Sequence, residues 1–498
     1  MKTVRRLMSN AVLAFTSNIV VRASNSLLFI FIGRSLGPTA GGVFNLGITY
    51  FTVVFALSAW GLHELLVREV APRRDESSLY VTNYLAIRMV LASAVYAFLL
   101  LALGFVLPYS PATEEAIRIL ALAVFPEAIF SIVQALFEAH ERLLPPALVA
   151  SAGSVIKLGG GLWLLYNGYA VQQIAWMVPL GSGLSLLLFL PFLWQLFHDN
   201  KQRLTNRLSW SFSWSQLRHT PSFVVIHLFS LLDYQADAFL ISLLLTETDV
   251  GWYGAAQTIM LAFWMMPTAL RAAIYPLMAR YRHESYDKLL LLYQKTTQYL
   301  VIFILPAAAG VYMVAPGIIR LIFDTSFDPA IPALRWSIWA VVFAFLNVPN
   351  ARLMLVYDRQ RAAAWLTGLS MVINVLLNLL LIPGYGITGA AMARTFASLA
   401  FFLMIYAYVQ RNILRSSVWP ALVRPGLATL AMIAVVSQLQ TYGLVVPILA
   451  GVGVYTAAGF LLRIVPAEDW HYWRELFQKE LAAEGTHPLP LEEEKGIP

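Results

Sequence analysis

Apolar runs of membrane-spanning length dominate this chain and limit what it can become. Bounded by charges, Pro and Gly, they fall near 10–32, 42–66, 81–107, 116–139, 145–166, 171–197, 220–245, 251–278, 291–314, 332–356, 363–382, 388–409, 421–439 and 443–464. A crossing takes about 20 apolar residues, so the pattern predicts about fourteen transmembrane helices in an all-α polytopic membrane protein. Only 12% of residues are charged, against roughly 25% in soluble domains. That excludes a soluble enzyme, a disordered scaffold and a nucleic-acid-binding module, so no nucleic acid partner is expected. The absence of Cys removes disulfide frameworks, thiolate catalysis and Cys-ligated metals. The first run is too long, and too polar at Asn18, Arg22 and Asn25, for a cleaved signal peptide, and is read as the first crossing.

The formal charge of +7 has to be read by position. Of the 34 Lys and Arg, 24 fall in one set of loops and tails, 4 in the opposite set (Arg34, Arg118, Arg320 and Arg335), and 6 within helices. The positive-inside rule then places both termini in the cytoplasm of a cell that holds the protein in its inner, cytoplasmic membrane.

The chain also repeats. Asn167-Gly-Tyr-Ala-Val-Gln-Gln-Ile-Ala-Trp matches Pro383-Gly-Tyr-Gly-Ile-Thr-Gly-Ala-Ala-Met, and Gly42-Val-Phe-Asn matches Gly251-Trp-Tyr-Gly. Six helices separate the copies, so they share one orientation and are related by an axis along the membrane normal. The expected organisation is a six-helix lobe over 1–210, a second over 211–415, two further helices over 416–465, and a cytoplasmic tail over 466–498. That tail carries Trp470, Trp473 and Phe477 at helical spacing, the pattern of a helix lying on the membrane surface, followed by a disordered end.

Ionisable groups inside the bilayer cost roughly 2.5 to 3.5 kcal/mol each at mid-membrane and mark functional candidates. The intramembrane cations are Arg22, Arg88, Lys157, Arg271, Arg394 and Arg424. Asn18, Arg22 and Asn25 share a face of the first helix. His227, Ser230, Asp233, Tyr234 and Asp237 share one of the seventh, and Tyr253, Gln257, Trp264, Pro267 and Arg271 one of the eighth. Ser370, Asn374 and Asn378 line the eleventh, and Glu127, Ser131, Gln134 and Glu138 the fourth. Such stripes need water or protein opposite them. Arg424, near a helix end, is expected to snorkel, and Arg88 either to snorkel or to line a cavity. Lys157 and Arg22 are too central to snorkel and belong to a cavity or an internal ion pair. Asp233 and Asp237 either neutralise cavity cations or bind a coupling proton or sodium ion. The Asn pairs serve as interhelical glue or as ligands. No phosphate-binding loop, H-E-x-x-H or G-x-S-x-G motif is present, so neither a cofactor nor an enzymatic activity is expected.

Gly33-Arg-Ser-Leu-Gly-Pro, Gly42-Val-Phe, Asp237-Ala-Phe-Leu-Ile-Ser, Val250-Gly-Trp-Tyr-Gly-Ala-Ala-Gln and Asn378-Leu-Leu-Leu-Ile-Pro-Gly-Tyr-Gly-Ile-Thr-Gly-Ala-Ala resemble the polysaccharide (Wzx-type) flippases of the multidrug/oligosaccharidyl-lipid/polysaccharide exporter superfamily. The resemblance implies alternating access and a polyprenyl-diphosphate-linked oligosaccharide moved from the cytoplasmic to the outer leaflet, with membrane lipids and polysaccharide polymerase machinery as partners. It also implies that Arg22, twelve residues before the turn Arg34, stands where related lipid II flippases carry a cavity Arg. Leu28 and Gln257 stand where those flippases carry two further Arg. On the residues themselves, the substrate-binding candidates are Arg22, Lys157, Arg271, Arg394, Arg88, Asp233, Asp237, Asn18, Asn25, Tyr234, Tyr253, Gln257 and Trp264. The rival readings are a multidrug or cation antiporter of the same superfamily and a membrane-embedded glycosyltransferase.

Overall fold

The computed structural model describes residues 2–199, 208–209, 212, 215–216 and 235–465. The side chains of 2–12, 14, 199 and 265–273 lie outside the description, as do Ala467–Glu484 and the tail beyond. Every regular element among the described residues is helical. The long helices are α1 (Lys2–Ala59), α3 (Ser77–Phe105), α6 (Leu144–Tyr166), α8 (Met177–Asp199), α10 (Glu247–Glu284), α11 (Tyr286–Ile322), α12 (Ala330–Val356), α13 (Gln360–Asn412), α14 (Trp419–Leu439) and α15 (Val445–Leu461). The shorter ones are α2 (Leu62–Val70), α4 (Pro111–Ala121), α5 (Val124–Ala139), α7 (Val171–Ala175) and α9 (Gln235–Leu244).

Nine described stretches are long and apolar enough to cross a membrane. Two of them, within α1 and α13, are each two crossings folded back at a glycine. Gly37 has φ 85 and Gly386 φ 58, left-handed conformations that a side chain tolerates poorly. The chain reverses there, because Gly41 lies against Gly33 and Phe29, and Gly389 against Leu381. Dividing both helices at those turns and adding α9, α10 and α15 gives the fourteen crossings expected, the seventh described only from Gln235.

Two boundaries differ from the sequence reading. The second crossing ends at Ala59, and Trp60 and Gly61, both with positive φ, turn the chain into the separate helix α2. Leu62, Leu65, Leu66 and Val70 of α2 are fully buried against α3 and α5, so this piece covers a helix bundle instead of extending a crossing. The fourth crossing is two helices, α4 and α5, joined at Leu122 and Ala123.

Helices α1 to α8 pack among themselves, α10 to α13 form a second group, and α14 and α15 pack on each other and on α11. The two groups meet where α1 touches α10, at the ends joined by loops poor in Lys and Arg. Thr39 and Thr248 share a hydrogen bond of 2.8 Å. A Cβ on Gly42 would overlap the carbonyl of Glu247, and one on Gly251 the carbonyl of Pro38. Each of Pro38, Thr39 and Gly42 lies 209 residues before its counterpart Glu247, Thr248 or Gly251. The contact is therefore reciprocal, as across a twofold axis, and it falls on the Gly42/Gly251 match that the sequence alone suggested. Tyr109 to Ser242 at 2.8 Å, Thr113 to Glu247 at 3.1 Å and Arg34 to the Leu321 carbonyl at 3.2 Å close the same end.

Because this closure depends on two missing side chains, adding one should pry it apart. In the otherwise Cys-free chain, Thr39→Cys with Thr248→Cys is expected to form a disulfide on oxidation. A further Gly42→Val should cut the crosslinked fraction severalfold, as read on a gel. Crosslinking that survives Gly42→Val would mean that the closure does not need the bare backbone.

Candidate functional site

Beyond the closed contact, toward the cation-rich end, the two helix groups enclose a cavity of about 450 Å³. The second half of α1 contributes Asn45, Ile48, Thr49 and Thr52, and its first half contributes Arg22. Helix α9 supplies Gln235, Asp237 and Ala238, and α10 supplies Tyr253, Gln257, Leu261 and Trp264. Ser337 and Ala340 of α12 and Arg394 of α13 complete the wall. Tyr253, Gln257 and Trp264 of the eighth-helix stripe line this cavity, and the side chains of Pro267 and Arg271 lie outside the described residues.

Asp237 organises the wall. It is 3% exposed, and its carboxylate accepts four hydrogen bonds. Arg394 Nε and Tyr253 OH donate to Oδ2, each at 2.8 Å. Asn374 and Asn378 Nδ2 donate to Oδ1 at 3.0 and 2.9 Å. A buried carboxylate is tolerated when a cation and further donors saturate it, and this one is saturated by side chains from three other segments. The Asn pair of α13 thus acts as glue on the aspartate, not as a cavity lining. Tyr253, also 3% exposed, spends its hydroxyl on Asp237. Trp264 keeps a partly open ring.

Arg22 is different. It is exposed to the cavity and makes no ion pair among the described residues. With Arg394 neutralised by Asp237, Arg22 is the uncompensated charge on the described wall. Ser337 Oγ is buried beside the same space, with no hydrogen-bond partner among the described residues.

Lys157 does not join this group. It lines a separate cavity of about 440 Å³ inside the first helix group, with Ser17, Asn18, Glu127, Gln134, Glu138, Ser154 and Ser185 among its neighbours. Its Nζ pairs with Glu127 at 3.0 Å, and Ser182 donates to the same carboxylate oxygen at 2.6 Å. Glu138 takes Gln134 at 2.8 Å and His63 of α2 at 3.0 Å. Burial alone would lower the His63 pKa, but its bond and charge interaction with Glu138 outweigh that and hold it above the ordinary value. The predicted face of the first helix is therefore split, with Asn18 toward this inner cavity and Arg22 toward the central one. Asn25 is exposed and lines neither.

Arg88 requires a correction. It neither snorkels nor lines these cavities, being 1% exposed, with its guanidinium 4.8 Å from the Phe55 ring and NH2 at 3.4 Å from the Phe55 carbonyl. Among the described residues Nε and NH1 have no hydrogen-bond partner. Helix α2, which the sequence reading places within the second crossing, packs against α3 there, its Leu62, Leu65, Leu66 and Val70 sharing a buried cluster with Tyr84 and Ile87. Arg424 donates to the Arg463 carbonyl at 3.2 Å. Asp233, Tyr234 and His227 lie outside the described residues, as does the side chain of Arg271. Leu28 is 3% exposed and packs on Gly161 within the first group. Asn45, Thr49, Thr52, Gln235 and Ser337 were missed. The first three do recur at helical spacing, but Thr49 and Thr52 bond carbonyls one turn back, as such hydroxyls do in any helix.

Residues 31–332 match the polysaccharide biosynthesis protein family. The chain is 22% identical over 408 residues to the probable low-salt glycan biosynthesis flippase Agl15 of Haloferax volcanii, covering 81% of this chain and 83% of that protein. The fold is similar to that of the lipid II flippase MurJ in an inward closed conformation, with TM-score 0.71 at 14% identity over 92% of this chain and 99% of that one. It is also similar to a multidrug resistance MATE transporter of the MOP superfamily. The TM-score is 0.65 for the inward-facing conformation, at 16% identity over 78% of this chain and 94% of that one. For the outward-facing conformation it is 0.57, at 16% identity over 81% and 95%.

The fourfold satisfaction of Asp237 has a measurable consequence. Asp237→Ala removes the carboxylate from the half-buried Arg394 and the acceptor from Tyr253, Asn374 and Asn378, and breaking a buried ion pair costs about 3 to 5 kcal/mol. Thermal unfolding in detergent should show that loss, and Asp237→Ala with Arg394→Met should recover part of it. If the double variant unfolds no later than the single one, the ion pair is not the source.

Proposed function

The chain belongs to the polysaccharide biosynthesis protein family, and from that premise we propose that it is a flippase. It translocates a polyprenyl-diphosphate-linked oligosaccharide across the bilayer by alternating access, without chemical conversion. Residues 1–210 and 211–415 are the two moving lobes, and 416–465 an accessory pair. In this reading the cation-rich end faces the cytoplasm, which makes the closed contact between the lobes the outer gate.

One observation carries this reading. Among the described residues the cavity between the lobes presents Arg22 without a carboxylate partner, while Asp237 on its wall is already occupied. An anionic headgroup gains from such a site and a cationic drug does not. In the proposed cycle Arg22 holds the diphosphate, and Gln257, Gln235 and Asn45 offer hydrogen bonds to sugar hydroxyls. Trp264 offers a ring face, and the polyprenyl tail stays in lipid. Arg271, Asp233 and Tyr234 are assigned to the same cavity on their sequence positions. A cell interior that is negative favours outward movement of phosphate by roughly 2.3 kcal/mol per charge per 100 mV, so the potential itself supplies a drive. A coupling proton or sodium ion is not required, and polysaccharide polymerase machinery is the natural consumer of the product.

Arg22→Ala is expected to abolish export in a complementation assay at unchanged membrane levels. Arg22→Lys should retain part of the activity, because it keeps the charge and loses the bidentate fork. In reconstituted vesicles, headgroup translocation should follow an imposed potential with no ion gradient. Efflux of a lipophilic cation without lipid-linked sugar movement would overturn the flippase reading in favour of the antiporter.

A further inference from the structure

At the closed end of the molecule every turn between crossings lies among the described residues, and one ionisable side chain there joins the two helix groups. Glu247, the first residue of α10, is half-buried and stands at the start of α4, a helix of the other group. Helix α4 opens on Ser110, whose hydroxyl accepts from the Thr113 amide at 3.3 Å, with Pro111 in its first turn. Thr113 Oγ1 in turn donates to Glu247 Oε1 at 3.1 Å, and Ser110 stabilises the same carboxylate by hydrogen bonding. A carboxylate of one lobe thus caps a helix of the other, at the end where the helix dipole favours negative charge. Tyr109, one residue ahead of Ser110, extends the attachment, bonding Ser242 of α9 at 2.8 Å and Tyr50 of α1 at 2.9 Å. The twofold relation does not copy this cap, because the counterpart of Glu247, 209 residues earlier, is Pro38.

The other charged groups at this end are engaged elsewhere. Asp249 closes the capping box of its own helix with Thr246, and Glu114 of α4 pairs with Arg118. Arg320 pairs with Asp328, Asp324 accepts from the Ser326 amide, and Arg34 of α1 donates to the Leu321 carbonyl. Glu115 is exposed, and burial pushes the Tyr109 hydroxyl up, so it stays protonated. We propose that Glu247 is the latch of the outer gate, its ionised carboxylate holding the start of α4 and so keeping the lobes together on this side. The latch rests on the two lobes moving as proposed above, and not on what they carry. Burial alone would raise the Glu247 pKa, but bonds from its own amide, Thr113 and Ser110 outweigh that and hold it below the ordinary carboxylate value. Opening takes Thr113 and Ser110 away and lets the pKa return upward, so the closed state binds the proton less tightly. The latch is therefore at full strength above the ordinary carboxylate value and is lost as pH falls through the lower, closed-state value.

The separation of the lobes can be read directly, without substrate. Nitroxide labels at Tyr169→Cys and Tyr385→Cys, exposed positions on the outer turns after the fifth and eleventh crossings, give it by double electron–electron resonance in the otherwise Cys-free full chain. Near neutral pH the wild type should show mainly the short distance, and acidification to about pH 4 should move part of the population to a longer one. Glu247→Gln keeps the shape and loses the charge. It should raise the long-distance fraction severalfold near neutral pH and remove the response to acid. Thr113→Val tests the latch from the other lobe; it should open the gate partway and add little to Glu247→Gln. Thermal unfolding in the same detergent reports that each variant is folded. A wild type that opens in acid alongside a Glu247→Gln variant with the same distances and the same response would overturn the latch alone. A single short distance in every variant at both pH values would overturn the latch together with the moving lobes.

Discussion

Hydrocarbon offers the backbone no hydrogen-bond partner, and the rest of this structure follows from that constraint. Each unsatisfied amide in lipid costs several kcal/mol, so every described crossing is a helix that satisfies itself. Two turns, at Gly37 and Gly386, reverse the chain with no loop between the helices. Once the backbone is self-satisfied, the remaining polar groups are the side chains. Each then needs a protein partner or a water-filled space. The saturation of Asp237 and the openness of Arg22 are the two solutions, both found on the lining of one cavity.

The same constraint explains what the sequence made legible. Helix number and placement are readable because about 20 apolar residues can do little else. Ionisable residues such as Arg22, Lys157, Asp237 and Arg394 stand out because their cost forces a purpose. The Gly42/Gly251 match stands out in the sequence, and the structure gives it a mechanical meaning, since both glycines sit where the two helix groups touch.

Pairing was not legible. Asp237 meets Asn374, Asn378 and Arg394 across 137, 141 and 157 residues, and no local periodicity encodes such a choice. Lys157 and Glu127, 30 residues apart, each stood out alone, yet only packing shows that they neutralise each other inside one helix group. Helices apolar all round carry little amphipathic signal, so the face of Arg88 was unreadable until α2 was seen to break from its crossing at Trp60 and Gly61. The eighth-helix stripe was readable because Tyr253, Gln257 and Trp264 repeat within one helix.

The contrast between Arg394 and Arg22 bears on how the proposed cycle would be driven. A carboxylate that couples transport to an ion must exchange its partner with the bulk, being filled from one side and emptied to the other. The partner of Asp237 is a guanidinium tied to α13 by its own side chain, reinforced by a tyrosine hydroxyl and two amides. It cannot leave for either compartment, and pulling it aside would expose an unpaired buried charge at a cost of several kcal/mol. In the proposed cycle, then, Asp237 contributes a fixed, neutral support. The charge that crosses the membrane belongs to the substrate, gathered by Arg22 on the first lobe. Closure behind it needs no bulky side chain at its centre, because Gly42 and Gly251 let two backbones meet directly. Such a design puts charge recognition at one residue and gating at another pair, so altering one need not alter the other.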